Sequence, residues 1–113
     1  MSLDHATSSQ RQSAVFIGNE SLLIECATLW QQSGHEIATI VTRNVEIAKW
    51  AEDAGHTVEL HAGKLSDVTL PEAFDWLLSV ANLQIIPDAH LAKATKGAVN
   101  FHDGPLPAYA GLN

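Results

Sequence analysis

Short apolar runs alternate with helical periodicities along most of the chain. Ser13-Ala14-Val15-Phe16-Ile17 is such a run, closed by Gly18-Asn19, and it predicts a buried first strand. Leu22, Leu23, Cys26, Ala27 and Trp30 then recur at helical spacing. Asn19 is placed to cap that helix, Glu20 falls in its electropositive first turn, and Gly34 ends it. Residues 37–42, rich in β-branched side chains, predict a second buried strand. Asn44 can cap a second helix in which Ile47, Ala48, Ala51 and Ala54 share a face, with Gly55 as its stop. Residues 57–60 predict a short third strand. Residues 63–69 read as a loop, and residues 70–74 as a brief helix or turn, because Pro71 suits a first helical position. Residues 76–80 predict a fourth strand. Pro87 starts a helical stretch through Leu91 and Ala94, Gly97 breaks it, and residues 98–101 predict a fifth strand. Beyond it Gly104, Pro105, Pro107 and Gly111 oppose regular structure.

Continuous apolar strands alternating with amphipathic helices imply a parallel sheet covered on both faces. With right-handed crossovers this is an α/β, Rossmann-like, doubly wound fold with a mostly parallel sheet. The domain is expected over residues 13–113, after a polar leader or frayed terminus at 1–12 that lacks the apolar stretch of a signal peptide. No run approaches the roughly 18 apolar residues of a membrane span. A single cysteine, Cys26, excludes an internal disulfide. The net charge of −7, with six scattered basic residues, argues against nucleic acid as a partner. Together these features point to the cytoplasm.

In such a sheet ligands bind where the strands end at their carboxyl side. The first such loop, Gly18-Asn19-Glu20-Ser21, has one glycine where a dinucleotide fingerprint needs several, and Glu20 repels phosphate. The last loop carries more chemistry. Asn100 and His102 are two apart, so on one strand they point to the same face. An amide can donate to a developing oxyanion, and an imidazole titrates near operating pH, so the pair suits acyl transfer. A histidine at a strand end is more often structural.

Asn100-Phe101-His102-Asp103-Gly104-Pro105-Leu106-Pro107-Ala108-Tyr109-Ala110-Gly111 resembles the Asn-x-His motif, with its following Leu-Pro and Gly, of formyltetrahydrofolate-dependent formyltransferases. The resemblance implies the amino-terminal, folate-binding half of a formyltransferase domain, with 10-formyltetrahydrofolate as formyl donor and an amine as acceptor. It gives Asn100 and His102 the catalytic roles of stabilising the tetrahedral species formed when the amine attacks the formyl carbon. It assigns folate binding to Leu83, Gln84, Ile85, Ile86 and Pro87. An apolar loop at a strand end can also hold a flat heteroaromatic ring on physical grounds; the competing reading makes Leu83, Ile85 and Ile86 core residues.

The resemblance also implies a catalytic Asp well downstream of the motif. The chain stops at Asn113, so as a fragment it is expected to be inactive alone, with a sheet edge beside the fifth strand that invites dimerisation. Asp103-Gly104-Pro105 is most like the formyltransferase-like domains fused to nonribosomal peptide or polyketide synthases. The uncharged Ala108-Tyr109-Ala110 and the phosphate-repelling first loop turn the acceptor away from tRNA and nucleotides. A small or carrier-tethered amine, such as an aminoacyl group in a biosynthetic synthetase, is what remains. The alternative is a non-catalytic Rossmann-like interaction or ligand-binding module. A hydrolase lacks a nucleophile elbow. His35, His56 and His61 have no metal-ligand spacing and no metal is expected. His90 reads as solvated, Cys26 as core, and Trp30, Trp50 and Trp76 as packing residues.

Overall fold

The computed structural model describes residues 10–101. Five strands and three helices follow in order: β1 (Ser13–Ile17), α1 (Leu22–Gln32), β2 (Glu36–Thr42), α2 (Val45–Asp53), β3 (Val58–Leu60), a single 3-10 turn (Leu65–Asp67), β4 (Phe74–Val80), α3 (Asp88–Leu91) and β5 (Ala94–Phe101). The strands form one sheet in the order β3-β2-β1-β4-β5, and every pairing is parallel. This is a Rossmann-like α/β fold. The chain winds outward from β1 through β2 to β3, then returns to β4 on the other side of β1. The winding therefore reverses between β1 and β4, where such sheets open a crevice.

Alternation along the strands divides the core into two layers. On the first face Ala14, Phe16, Ile40, Leu78 and Val80 meet Leu23 and Ala27 of α1 and Ile47 and Ala51 of α2. On the second face Val15, Ile17, Val41 and Leu77 meet Leu65, Val68, Leu70 and Phe74. No long helix covers the second face among the described residues; the irregular segment between β3 and β4 does so. Leu77 is fully buried, and its truncation removes contacts worth about 2–5 kcal/mol.

Several expected elements appear with small shifts. The Asn44 side chain accepts from the Glu46 and Ile47 amides at 2.9 and 3.4 Å, capping α2 as expected. Asn19 does not cap α1. Its Oδ1 accepts from the Arg43 amide at 2.7 Å, and its carbonyl accepts from Asn44 Nδ2 at 3.0 Å, so it ties the ends of β1 and β2 together. Ser21 stands at the N-cap position with no side-chain cap bond. Residues 70–74 form no helix; β4 begins at Phe74, two residues before the expected strand.

Gly97 does not end a helix. α3 is a single turn, and β5 starts at Ala94, so Gly97 lies within the strand. Its φ of 140° favours glycine, and the Trp76 ring packs at ordinary contact distance, 3.4 Å from where a Cβ would stand. Gln12, assigned to the leader by sequence, is bound into the sheet. Its carbonyl accepts from the Glu36 amide at 2.8 Å, its amide donates to His35 Nδ1 at 3.2 Å, and its side chain accepts from Trp76 Nε1.

Candidate functional site

The carboxyl ends of β1 and β4 meet closely. A Cβ on Gly18 would lie 2.5 Å from the Val80 carbonyl oxygen, so only glycine lets β1 leave the sheet here. Beyond Val80 the backbone turns through Ala81, a non-glycine residue at φ 50°, in the sparsely populated left-handed region. The Ala81 amide donates to the Phe101 carbonyl at 2.9 Å, which joins the ends of β4 and β5.

The loop that follows is shaped by its own polar bonds. Asn82 is buried; its Nδ2 donates to the Gln84 carbonyl at 2.9 Å and its Oδ1 accepts from the Gln84 amide at 3.1 Å. This closes a tight turn. Leu83 and Ile85 flank Gln84 and are thrown outward, 96% and 89% exposed. Ile86 turns inward onto the second-face core. Gln84 Nε2 reaches across to the Gly63 carbonyl at 3.2 Å. An open recess of about 470 Å³ lies between Lys64, Leu65 and Ser66 on one wall and Leu83, Gln84, Ile85 and Pro87 on the other. That volume lies within the roughly 300–1,000 Å³ typical of small-molecule sites.

A histidine braces the two walls. His90, on α3 just after Pro87, is only 7% exposed, and its Nε2 lies 2.7 Å from the Leu65 carbonyl. A carbonyl can only accept, so Nε2 carries the proton. Nδ1 is buried with no hydrogen-bond partner among the described residues. The expectation of a solvated His90 is thus corrected: the short helix is pinned under the loop, which buries the ring.

Of the expected site residues, Leu83, Gln84, Ile85 and Pro87 share this recess, whereas Ile86 is half-buried and packs against the core beneath it. Asn100 is half-buried near the end of β5, opposite Ser79. Ser79 alternates with Leu78 and shares the face of Leu77, so Asn100 faces the layer that holds Leu65 and Ile86. It thus stands on the recess side, at the strand end beside the loop. His102 lies outside the described residues. Lys64, Ser66, Asn82 and His90 were not anticipated. Their one sequence signal is Asn82, a residue prone to bond the backbone two positions on.

The remaining candidates are structural. His35 stacks on Trp30 with ring centroids 4.5 Å apart, and His56 lies 5.4 Å from Trp50. Burial lowers the His56 pKa. Burial, then the Glu25 carboxylate, raises the Cys26 thiol pKa, which suits a packing residue and not a nucleophile. Among the described residues no three His, Cys, Asp or Glu side chains converge on a possible metal position. No helix among them is long and apolar enough to cross a membrane. No protein-family model matches the chain, and no curated protein matches it.

Proposed function

We propose that the chain is the folate-binding half of an N-formyltransferase domain. The observation that carries the reading is the loop after β4, whose internal bonds hold Leu83 and Ile85 almost fully exposed beside a recess, with Asn100 at the neighbouring strand end on the same side. Large apolar side chains held out in water by buried polar bonds are costly unless something covers them. A flat heteroaromatic ring fits that need, with Leu83, Ile85 and Pro87 against its faces and backbone groups at its edge.

Bound 10-formyltetrahydrofolate supplies the formyl group. In this reading Asn100 donates its amide N–H to the formyl oxygen as that oxygen gains negative charge. His102, two residues further along, donates a second hydrogen bond or a proton. The acceptor is a small or carrier-tethered amine, such as an aminoacyl group in a synthetase, because neither the first loop nor residues 108–110 offer cations for phosphate. The reading is of a cytoplasmic protein, with β5 at the sheet edge available to pair with a second copy.

The test is amide hydrogen exchange on the full chain with a stable formyltetrahydrofolate analogue. Slowed exchange in residues 63–66 and 82–87 is expected; unchanged exchange there contradicts the site. Where transfer by a polypeptide carrying this chain is measured, His102→Ala abolishes it, and Asn100→Ala lowers it about 10²–10³-fold. Transfer indifferent to His102→Ala would sink the catalytic assignment. A second reading, a non-catalytic module, draws on the apolar groove on the opposite face, and it predicts no response to the analogue.

A further inference from the structure

The two walls of the recess are tied to each other at two heights. At the base, the buried His90 Nε2 lies 2.7 Å from the Leu65 carbonyl. At the solvent-exposed rim, Gln84 Nε2 donates to the Gly63 carbonyl at 3.2 Å. We infer that Gln84 is a positioning residue: through Gly63 it sets the width of the recess, and its side chain is committed to the opposite wall and not to a ligand. The inference rests on the recess being the ligand site.

The opposite wall is a unit with one loose side. Within it the Asp67 amide donates to the Lys64 carbonyl and the Val68 amide to the Leu65 carbonyl, each at 3.0 Å. Leu65 and Val68 are buried and anchor its lower side, whereas Lys64, Ser66 and Asp67 are exposed. Upstream, the His61 amide is held by the Thr42 carbonyl at 3.0 Å. Ala62, Gly63 and Lys64 span the distance between these anchors, and all are exposed. Arg43 Nη2 donates to the Ala62 carbonyl at 3.1 Å, and His61 Nδ1 lies 3.2 Å from the Gly63 carbonyl. Both of those side chains come from the β2 and β3 side. Gln84 alone reaches this stretch from across the recess.

Gln84 is also held in the direction of its reach. The Asn82 side chain bonds both the carbonyl and the amide of Gln84, at 2.9 and 3.1 Å, so the backbone from which the side chain departs is fixed. The same turn throws Leu83 and Ile85 outward. One turn therefore presents the apolar pair and sets the wall that faces it. An exposed hydrogen bond opens at small cost and a buried one does not, so the rim is where the width is set and the base is the hinge.

The experiment compares the full chain with Gln84→Met, which keeps the length and loses the donor, and with Gln84→Lys, which keeps a donor. Amide exchange at Asp67 without ligand reads the wall. Calorimetric titration with a stable formyltetrahydrofolate analogue reads the site. Gln84→Met is expected to speed exchange at Asp67 and to weaken analogue binding, each about fivefold, the size of one exposed hydrogen bond. Gln84→Lys is expected to bring both back to within about twofold of the full chain. Weaker binding in Gln84→Met with unchanged exchange overturns the inference, because the side chain then touches the ligand itself. Faster exchange with unchanged binding overturns it too, as does a failure of Gln84→Lys to rescue. If the full chain binds no analogue, the folate reading falls, and exchange with its rescue still decides whether Gln84 holds the wall.

Discussion

The two faces of β4 and β5 are made by alternate residues of the same strands, yet they end differently. On one face Leu77 is sealed under Leu65, Val68 and Leu70, and buried polar side chains brace the loops above it. On the other, Trp76, Val99 and Phe101 form an open trough against α1. The sealed face shows that an irregular segment can close a sheet when its polar groups are bonded. Among the described residues the open face has apolar surface and no loop bonded across it. The recess is therefore a fixed feature, built by Asn82, Gln84 and His90, whereas the groove has no such brace among the described residues.

Substitutions can break this contrast, and the largest effect belongs to the sealed face. Leu77→Ala lowers stability by about 2–5 kcal/mol in chemical denaturation. Truncating Leu83 or Ile85 to alanine changes it by no more than about 0.5 kcal/mol, because each is already in water. Equal losses at Leu77 and Ile85 would erase the distinction between core and presented residues. Next comes His90→Ala, which removes one of the two donors to the Leu65 carbonyl, the Val68 amide staying at 3.0 Å, and costs about 1–2 kcal/mol for the lost bond and the emptied ring volume. Faster amide exchange in residues 64–67 should accompany it. Asn82→Ala removes both bonds that close the loop and costs about 1 kcal/mol. It is also expected to weaken ligand binding more than its small effect on unfolding suggests.

The smallest effect is a pH slope. Burial lowers the His56 pKa in the folded state, so the unfolded chain binds the proton more readily. Stability from this residue is present above the ordinary histidine value of about 6.5 and declines as pH falls from there toward the lower folded value. His56→Gln should flatten that part of the profile. An unchanged slope would assign it to another group.

What was legible in the sequence was what depends on neighbours along the chain. The apolar run 13–17 is β1, and the Asn44 cap is bonded as expected, because strand burial and capping are read within a few residues. Gly97 misled because a glycine after a helical pattern looks like a stop. Its real constraint is a φ of 140° beside the irregularity in the pairing of β5 with β4, which lies on another part of the chain. Asn19 misled likewise, since the Arg43 amide it bonds is 24 positions away. His90 offered no local sign of its burial under Leu65, 25 positions earlier. In the site, Leu83, Gln84, Ile85 and Pro87 line one recess because they belong to one loop. Ile86 does not, because a tight turn alternates inward and outward side chains. The opposing wall at Lys64 to Ser66 is brought there by tertiary packing alone.

The central claim is that the loop after β4 presents Leu83 and Ile85 to a folate. Calorimetric titration of the full chain and of its Leu83→Asp/Ile85→Asp variant with a stable formyltetrahydrofolate analogue tests it most directly. Saturable binding by the full chain is expected, with affinity at least about tenfold lower in the variant, a difference of about 1.4 kcal/mol, and an unchanged unfolding midpoint. No binding by the full chain, or equal affinity in the variant, would contradict the account.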